Sequence, residues 1–174
     1  MDSQQLRSLQ APLKDRYRTE PGAAQITLHA EGRLGEEAVA CSVETGRALV
    51  EAGLHPATGG DGTLACSGDM LLQALVACAG VTLRAVATAL DLPLNGGAVR
   101  AEGDLDFRGT LGVDRAAPVG FTDIRLHFEL DTPATEEQVS NLIDLTERYC
   151  VVLQTLAGNP RITVAAEAGG PEGG

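Results

Sequence analysis

Hydrophobic and polar positions change period several times along this chain, and each change marks an element. Leu6, Leu9, Leu13 and Tyr17 fall at three- and four-residue steps, which predicts a helical arm within residues 1–22. Pro12 is expected to split that arm, because proline has no N–H for the helical ladder and its ring crowds the preceding turn. In "AQITLHAEGR" the period falls to two, with Ile26, Leu28 and Ala30 on one side and Thr27, His29 and Glu31 on the other. The turn "RLGEE" and the run "AVACSVE", with Val39, Cys41 and Val43 on a common face, complete a hairpin, and "GRALVEAG" predicts a short third strand.

After the glycine-rich loop "HPATGGDGTLACSG", Ser67 is the expected N-cap of a long helix, and Asp69 sits in its first turn. Between Asp69 and Leu90 only Gln73 and Arg84 are strongly polar, so this helix is expected to be buried nearly all round. Pro93 and "NGG" end it, and two strands follow in "AVRAEGDLDFRG" and "FTDIRLHFELD". The second alternates cleanly, Ile124, Leu126, Phe128 and Leu130 opposing Asp123, Arg125, His127 and Glu129. A capping box, Thr135 with Gln138, then opens a helix whose stripe is Val139, Leu142, Ile143, Thr146 and Cys150, which turns Cys150 inward. "PRITVAAEA" predicts a last strand. The order places the chain in the α+β class, as a helical arm over 1–22, one domain over 23–168 and a glycine-rich, disordered tail over 169–174.

Composition narrows the possible functions. With 174 residues, 44% of them hydrophobic and 21% charged, the chain can bury a sizeable core. A net charge of -11 with no lysine- or arginine-rich run argues against nucleic acid or an anionic membrane as partner. "MDSQQLRSLQ" has no apolar leader segment, so a cytoplasmic location without a membrane span is expected. Cys41, Cys66, Cys78 and Cys150 form no C-x-x-C or Cys/His cluster, and His29, His55 and His127 are scattered, so neither a metal nor another cofactor is expected. "GGDG" at 59–62 lacks the lysine of a phosphate loop.

Chemistry therefore turns on the thiols. Taken alone, a cysteine on an aliphatic helix is ordinary core filler, and that reading suffices for Cys41 and Cys66. "GDMLLQALVACAGVTLRAVA", followed later by "TERYCVVLQTL", changes the balance for Cys78 and Cys150. Together these segments resemble the superfamily of osmotically inducible protein C and organic hydroperoxide resistance proteins (OsmC/Ohr), over roughly residues 24–166. Two departures, Gly68 in place of a glutamate and Val151 in place of a proline, align the chain with a less characterised branch.

The resemblance implies antiparallel sheets wrapped around two central helices in an intertwined homodimer, and thiol-dependent reduction of organic hydroperoxides. Cys78 would attack the peroxide and become a sulfenic acid, Cys150 would condense with it to a disulfide, and a dithiol reductant would reopen the bridge. Burial alone raises a thiol pKa above its usual value of about 8.5, so a cation is expected beside Cys78. Arg33, in the first hairpin's turn, matches the family's arginine, with Arg16, Arg18 and Arg47 as substitutes; Asp69 and Gln73 are possible supporting residues, and Glu44 and Glu51 are remote stand-ins for the glutamate. Leu71, Leu75, Val81, Val152 and Leu153 are the expected pocket lining. The alternative is a dimer with inert cysteines that binds small molecules or is associated with stress.

Overall fold

The computed structural model describes residues 2–25, 27, 32–34, 40–44 and 49–167, with backbone alone at 21, 22, 32–34 and 40–44. The arm is a single helix, α1 (Ser3–Thr19), started by a capping box between Asp2 and Gln5. Pro12 lies inside it without breaking it. The carbonyl that loses its partner there belongs to Ser8, on an exposed turn where water can replace the missing N–H.

Four short strands form one sheet in the order β1 (Gly32–Leu34), β2 (Ala40–Glu44), β3 (Leu49–Gly53) and β4 (Ala65–Cys66). The hairpin and the third strand pair antiparallel, while β4 runs parallel to β3, a pairing not anticipated from sequence. The alternating positions Ile26 and 28–31, and Val39, lie outside the described residues.

Helix α2 (Ser67–Ala89) begins one residue earlier than expected: the extended Cys66 is its N-cap, without a side-chain cap, and Ser67 is already helical. Its C-terminus is closed by the Leu92 N–H bonding back to the Ala87 carbonyl, which requires Asp91 to adopt φ 52. β5 (Gly96–Asp104) and β6 (Asp123–Asp131) form a two-stranded antiparallel ribbon with Val99 opposite Phe128. Between them Phe107–Thr110 forms a short helix, α3, instead of prolonging β5. Phe121 lies so close to Gly103 that a Cβ there would stand 2.5 Å from its ring.

The capping box of Thr135 and Gln138 opens α4 (Glu136–Tyr149) as expected, but the helix stops at Cys150, whose extended backbone separates it from α5 (Val151–Ala157). Residues 160–167 do not form the expected strand: they find no ladder partner among the described residues, and Ile162 and Val164 are 82% and 88% exposed.

The core sits where α2 meets α4, α5 and the β5–β6 ribbon. Leu75, Ala79, Leu83 and Ala87, at strict four-residue steps, are the only buried side chains of α2 among the described residues. Complete burial of this helix was the expectation; one stripe is covered, because a two-stranded ribbon and two helices cannot enclose a cylinder. By length and composition alone α2 could cross a bilayer, yet its packed stripe is that of a core helix.

Candidate functional site

The break between α4 and α5 brings two cysteines together. Cys150 is 0% exposed and packs with Leu75 and Ala79 of α2, and the half-buried Cys78, one turn along α2 from Leu75, packs against the same cluster. The hydrophobic neighbours are aliphatic or aromatic: Val99 and Ala101 of β5, Ile124, Leu126 and Phe128 of β6, and Val152, Leu153 and Leu156 of α5. The local reason is the helix break. The extended backbone of Cys150 starts a new helix whose first N–H groups have no partner within α5, and these groups face the sulfurs.

The thiols are free and electrostatically unequal. Burial pushes Cys78 up, but the Val152 N–H, the Cys150 thiol, the Val151 N–H and the Thr82 hydroxyl, all hydrogen-bonded to its sulfur, outweigh burial and leave Cys78 below the ordinary thiol value. Burial likewise raises Cys150; the Leu153 N–H opposes it, but the hydrogen bond to Cys78 and the charge of that neighbour add to the rise. One sulfur is thus prepared to be a thiolate and the other to keep its proton.

The predicted cation is differently placed. Arg33 lies on β1, its backbone paired with Ser42, and not in the turn, since the ladder continues through Leu34 opposite Cys41. Its side chain, like those of Cys41 and Glu44, lies outside what the structure describes, and so does the whole of Arg47. Arg16 and Arg18 pair with Glu20 and Asp15 on the exposed arm. Backbone N–H groups, which sequence reasoning passed over, supply part of the stabilisation assigned to a guanidinium. The valine in place of proline at 151 was their one visible signal, since proline would have no N–H to give.

Asp69 and Gln73 are exposed on α2, and Glu51 is exposed on β3. At Gly68, where the resemblance calls for glutamate, a Cβ would meet the Phe121 ring at 3.5 Å, the Cys66 sulfur at 3.6 Å and Leu105 at 3.8 Å. That space is apolar. Cys66 is half-buried there, apart from the Cys78 and Cys150 cluster. No group of His, Cys, Asp and Glu suited to a metal occurs among the described residues.

A cavity of about 340 Å³ opens between α2, β6 and α5, lined by Leu75, Phe121, Ile124, Leu126, Leu153 and Leu156, with Thr122 and Asp123 at its polar side. Leu75 and Leu153 were expected in the lining and also belong to the sulfur cluster, so the cavity adjoins it. Leu71 and Val81, also expected there, are 38% and 72% exposed on the open face of α2, and Val152 packs into the cluster without lining the cavity.

A family model described as OsmC-like protein matches residues 60–165, which include both cysteines of the cluster. No curated protein matches the chain by sequence. Solved structures do resemble it. An OsmC-like protein from Mycoplasma pneumoniae superposes with TM-score 0.64 at 21% identity, over 77% of this chain and 89% of that one. An organic hydroperoxide resistance protein OsmC from Legionella pneumophila gives TM-score 0.61 at 20% identity, over 78% and 93%. The organic hydroperoxide resistance protein OhrB of Bacillus subtilis gives 0.53 at 18%, over 77% and 93%. At these identities the likeness is one of fold.

Proposed function

The chain belongs to the OsmC-like protein family, and on that footing we propose that it is a cytoplasmic thiol peroxidase that reduces organic hydroperoxides. Cys78 attacks as thiolate, leaves as a sulfenic acid, and is resolved by Cys150 as a disulfide that an external dithiol reopens. The observation that carries this reading is the meeting of two free thiols in one apolar cluster, with Cys78 below the ordinary thiol range and Cys150 above it. Organic substrates are favoured by the aliphatic lining of the adjoining cavity. Cys78 is half-buried, at the border between the packed stripe and the open face of α2, so a peroxide can reach it. The working unit is a homodimer: the open face of α2 and the exposed Ile162 and Val164 are the apolar surfaces that a second copy would cover.

The test is consumption of an alkyl hydroperoxide with a dithiol present. Wild type turns over, Cys78→Ser is inactive, and Cys150→Ser turns over more slowly, because its sulfenic acid must wait for the external dithiol in place of a neighbouring thiol. Equal rates in all three proteins would remove the peroxidase reading. Thermal stabilisation by apolar ligands without turnover would favour the rival reading, a binding dimer with inert cysteines.

A further inference from the structure

We propose that Cys150 is also the general acid of the peroxide-cleaving step, donating its proton to the departing alkoxide before it serves as the resolving thiol. This rests on the peroxidase reading and adds a second role for one of its residues. Attack of the Cys78 thiolate on the terminal oxygen of R–O–O–H forms the S–O bond and breaks the O–O bond, leaving Cys78 as S–OH and the electron pair on RO⁻. An alkoxide is a strong base, and in a dry apolar site it needs a proton as it forms.

The donors within reach are few. The hydrophobic residues packed around the sulfurs are aliphatic or aromatic and have no proton to give. Thr146, on the turn before Cys150, is buried, but its hydroxyl donates to the Leu142 carbonyl at 2.7 Å. Asp123 at the cavity wall is exposed and already paired with Arg125, 2.5 Å away. The Thr82 hydroxyl touches Cys78 but is no stronger an acid than the alcohol being made. Cys150 remains: a completely buried thiol, packed in one cluster with the sulfur at which the peroxide arrives.

The sequence then balances. The Cys150 proton converts RO⁻ to ROH and leaves a Cys150 thiolate, the form required to attack the Cys78 sulfenic acid. That attack forms the disulfide and expels hydroxide, which solvent protonates to water. The external dithiol supplies two electrons, reduces the disulfide, and restores the Cys78 thiolate and the Cys150 thiol. One proton transfer thus serves both halves of the cycle.

The experiment compares two oxidants that differ in leaving group. Reduced full-length wild type, Cys150→Ser and Cys150→Ala are mixed with cumene hydroperoxide, which expels an alkoxide, or with peracetic acid, which expels a carboxylate needing no proton. The first step is read by trapping the Cys78 sulfenic acid with dimedone in a single turnover, and circular dichroism confirms that the variants are folded. With cumene hydroperoxide both variants should trap about a hundredfold more slowly than wild type, the usual range for a lost general acid. With peracetic acid they should slow only by the fraction of Cys78 thiolate lost with the Cys150 donor, a factor read from the Cys78 alkylation midpoint and far smaller than the loss with cumene hydroperoxide. Equal slowing with both oxidants would reduce Cys150 to an electrostatic neighbour, and no slowing with either would exclude the acid role. Wild type inert to both oxidants would instead overturn the peroxidase reading on which the proposal rests.

Discussion

At the residue scale, the two sulfurs divide along lines set by their neighbours. Each is raised by burial, and what separates them is the direction of the hydrogen bond they share: Cys78 receives it as an anion, Cys150 gives it as a thiol. Alkylation against pH should therefore show Cys78 reacting with a midpoint below that of a free thiol. In Cys150→Ala the Cys78 midpoint should rise, because one of the donors holding its thiolate is gone. In Cys78→Ala the Cys150 midpoint should fall, because the neighbouring charge that opposed its ionisation is gone. Iodoacetamide labelling followed by mass spectrometry reads both; midpoints that ignore the partner's removal would mean that the sulfurs do not interact. The same asymmetry has a consequence for folding. A thiol depressed in the folded state stabilises that state above the unfolded thiol's pKa, and this contribution is lost as pH falls through the folded value. Cys150, raised, acts in the opposite sense and only above the unfolded thiol's pKa, so below it Cys78→Ala should fall progressively further behind wild type in denaturant midpoint as pH climbs toward the ordinary thiol range.

Elements differed in how plainly the sequence announced them, for physical reasons. The alternation of β6 and the capping box and stripe of α4 were legible because each is a local pattern with one geometric solution. The pairing of Cys78 with Cys150 was legible only through the resemblance, since no local rule joins residues on separate helices. Three features were hidden. Pro12 was overridden by a good cap and an exposed turn. Residues 160–167 carry strand composition but find no edge to join. The break at Cys150 has neither glycine nor proline to mark it, yet it aims the α5 N–H groups at the sulfurs. The end of α2 offers a separate test. Asp91 holds a left-handed conformation that costs a side-chain-bearing residue about 1–2 kcal/mol, less where an Asp is tolerated, while its ion pair with Arg7 is open to solvent and is worth about 0.5 kcal/mol. The backbone term is the larger, so Asp91→Gly should stabilise the protein by about 0.5–1 kcal/mol, seen as a higher urea midpoint. A lower midpoint would show that the arm's attachment outweighs the strain.

For the molecule as a whole, the open side of α2 is the feature a single chain leaves unexplained. Opposite the packed stripe, Met70, Ala74, Ala77, Val81 and Ala85 follow one another at three- and four-residue steps; Ala74 and Ala77 are exposed, and Val81 is 72% exposed. An aliphatic face of this length in water is costly, and its small side chains suit close approach of a second helix. In the proposed dimer the two faces would meet about a two-fold axis, so each substitution is felt twice. Cys78 lies at the edge of that face, which makes the partner part of the wall that keeps water from the sulfurs. Val81→Glu should therefore act at two levels. It should shift sedimentation equilibrium from dimer to monomer, and it should slow alkyl hydroperoxide turnover although the side chain at 81 is not one of the groups bonded to either sulfur. Its monomer should remain folded, because the buried stripe of Leu75, Ala79, Leu83 and Ala87 is untouched. A Val81→Glu protein that stays dimeric would move the interface away from α2. One that becomes monomeric with full activity would show that a single chain encloses its own site.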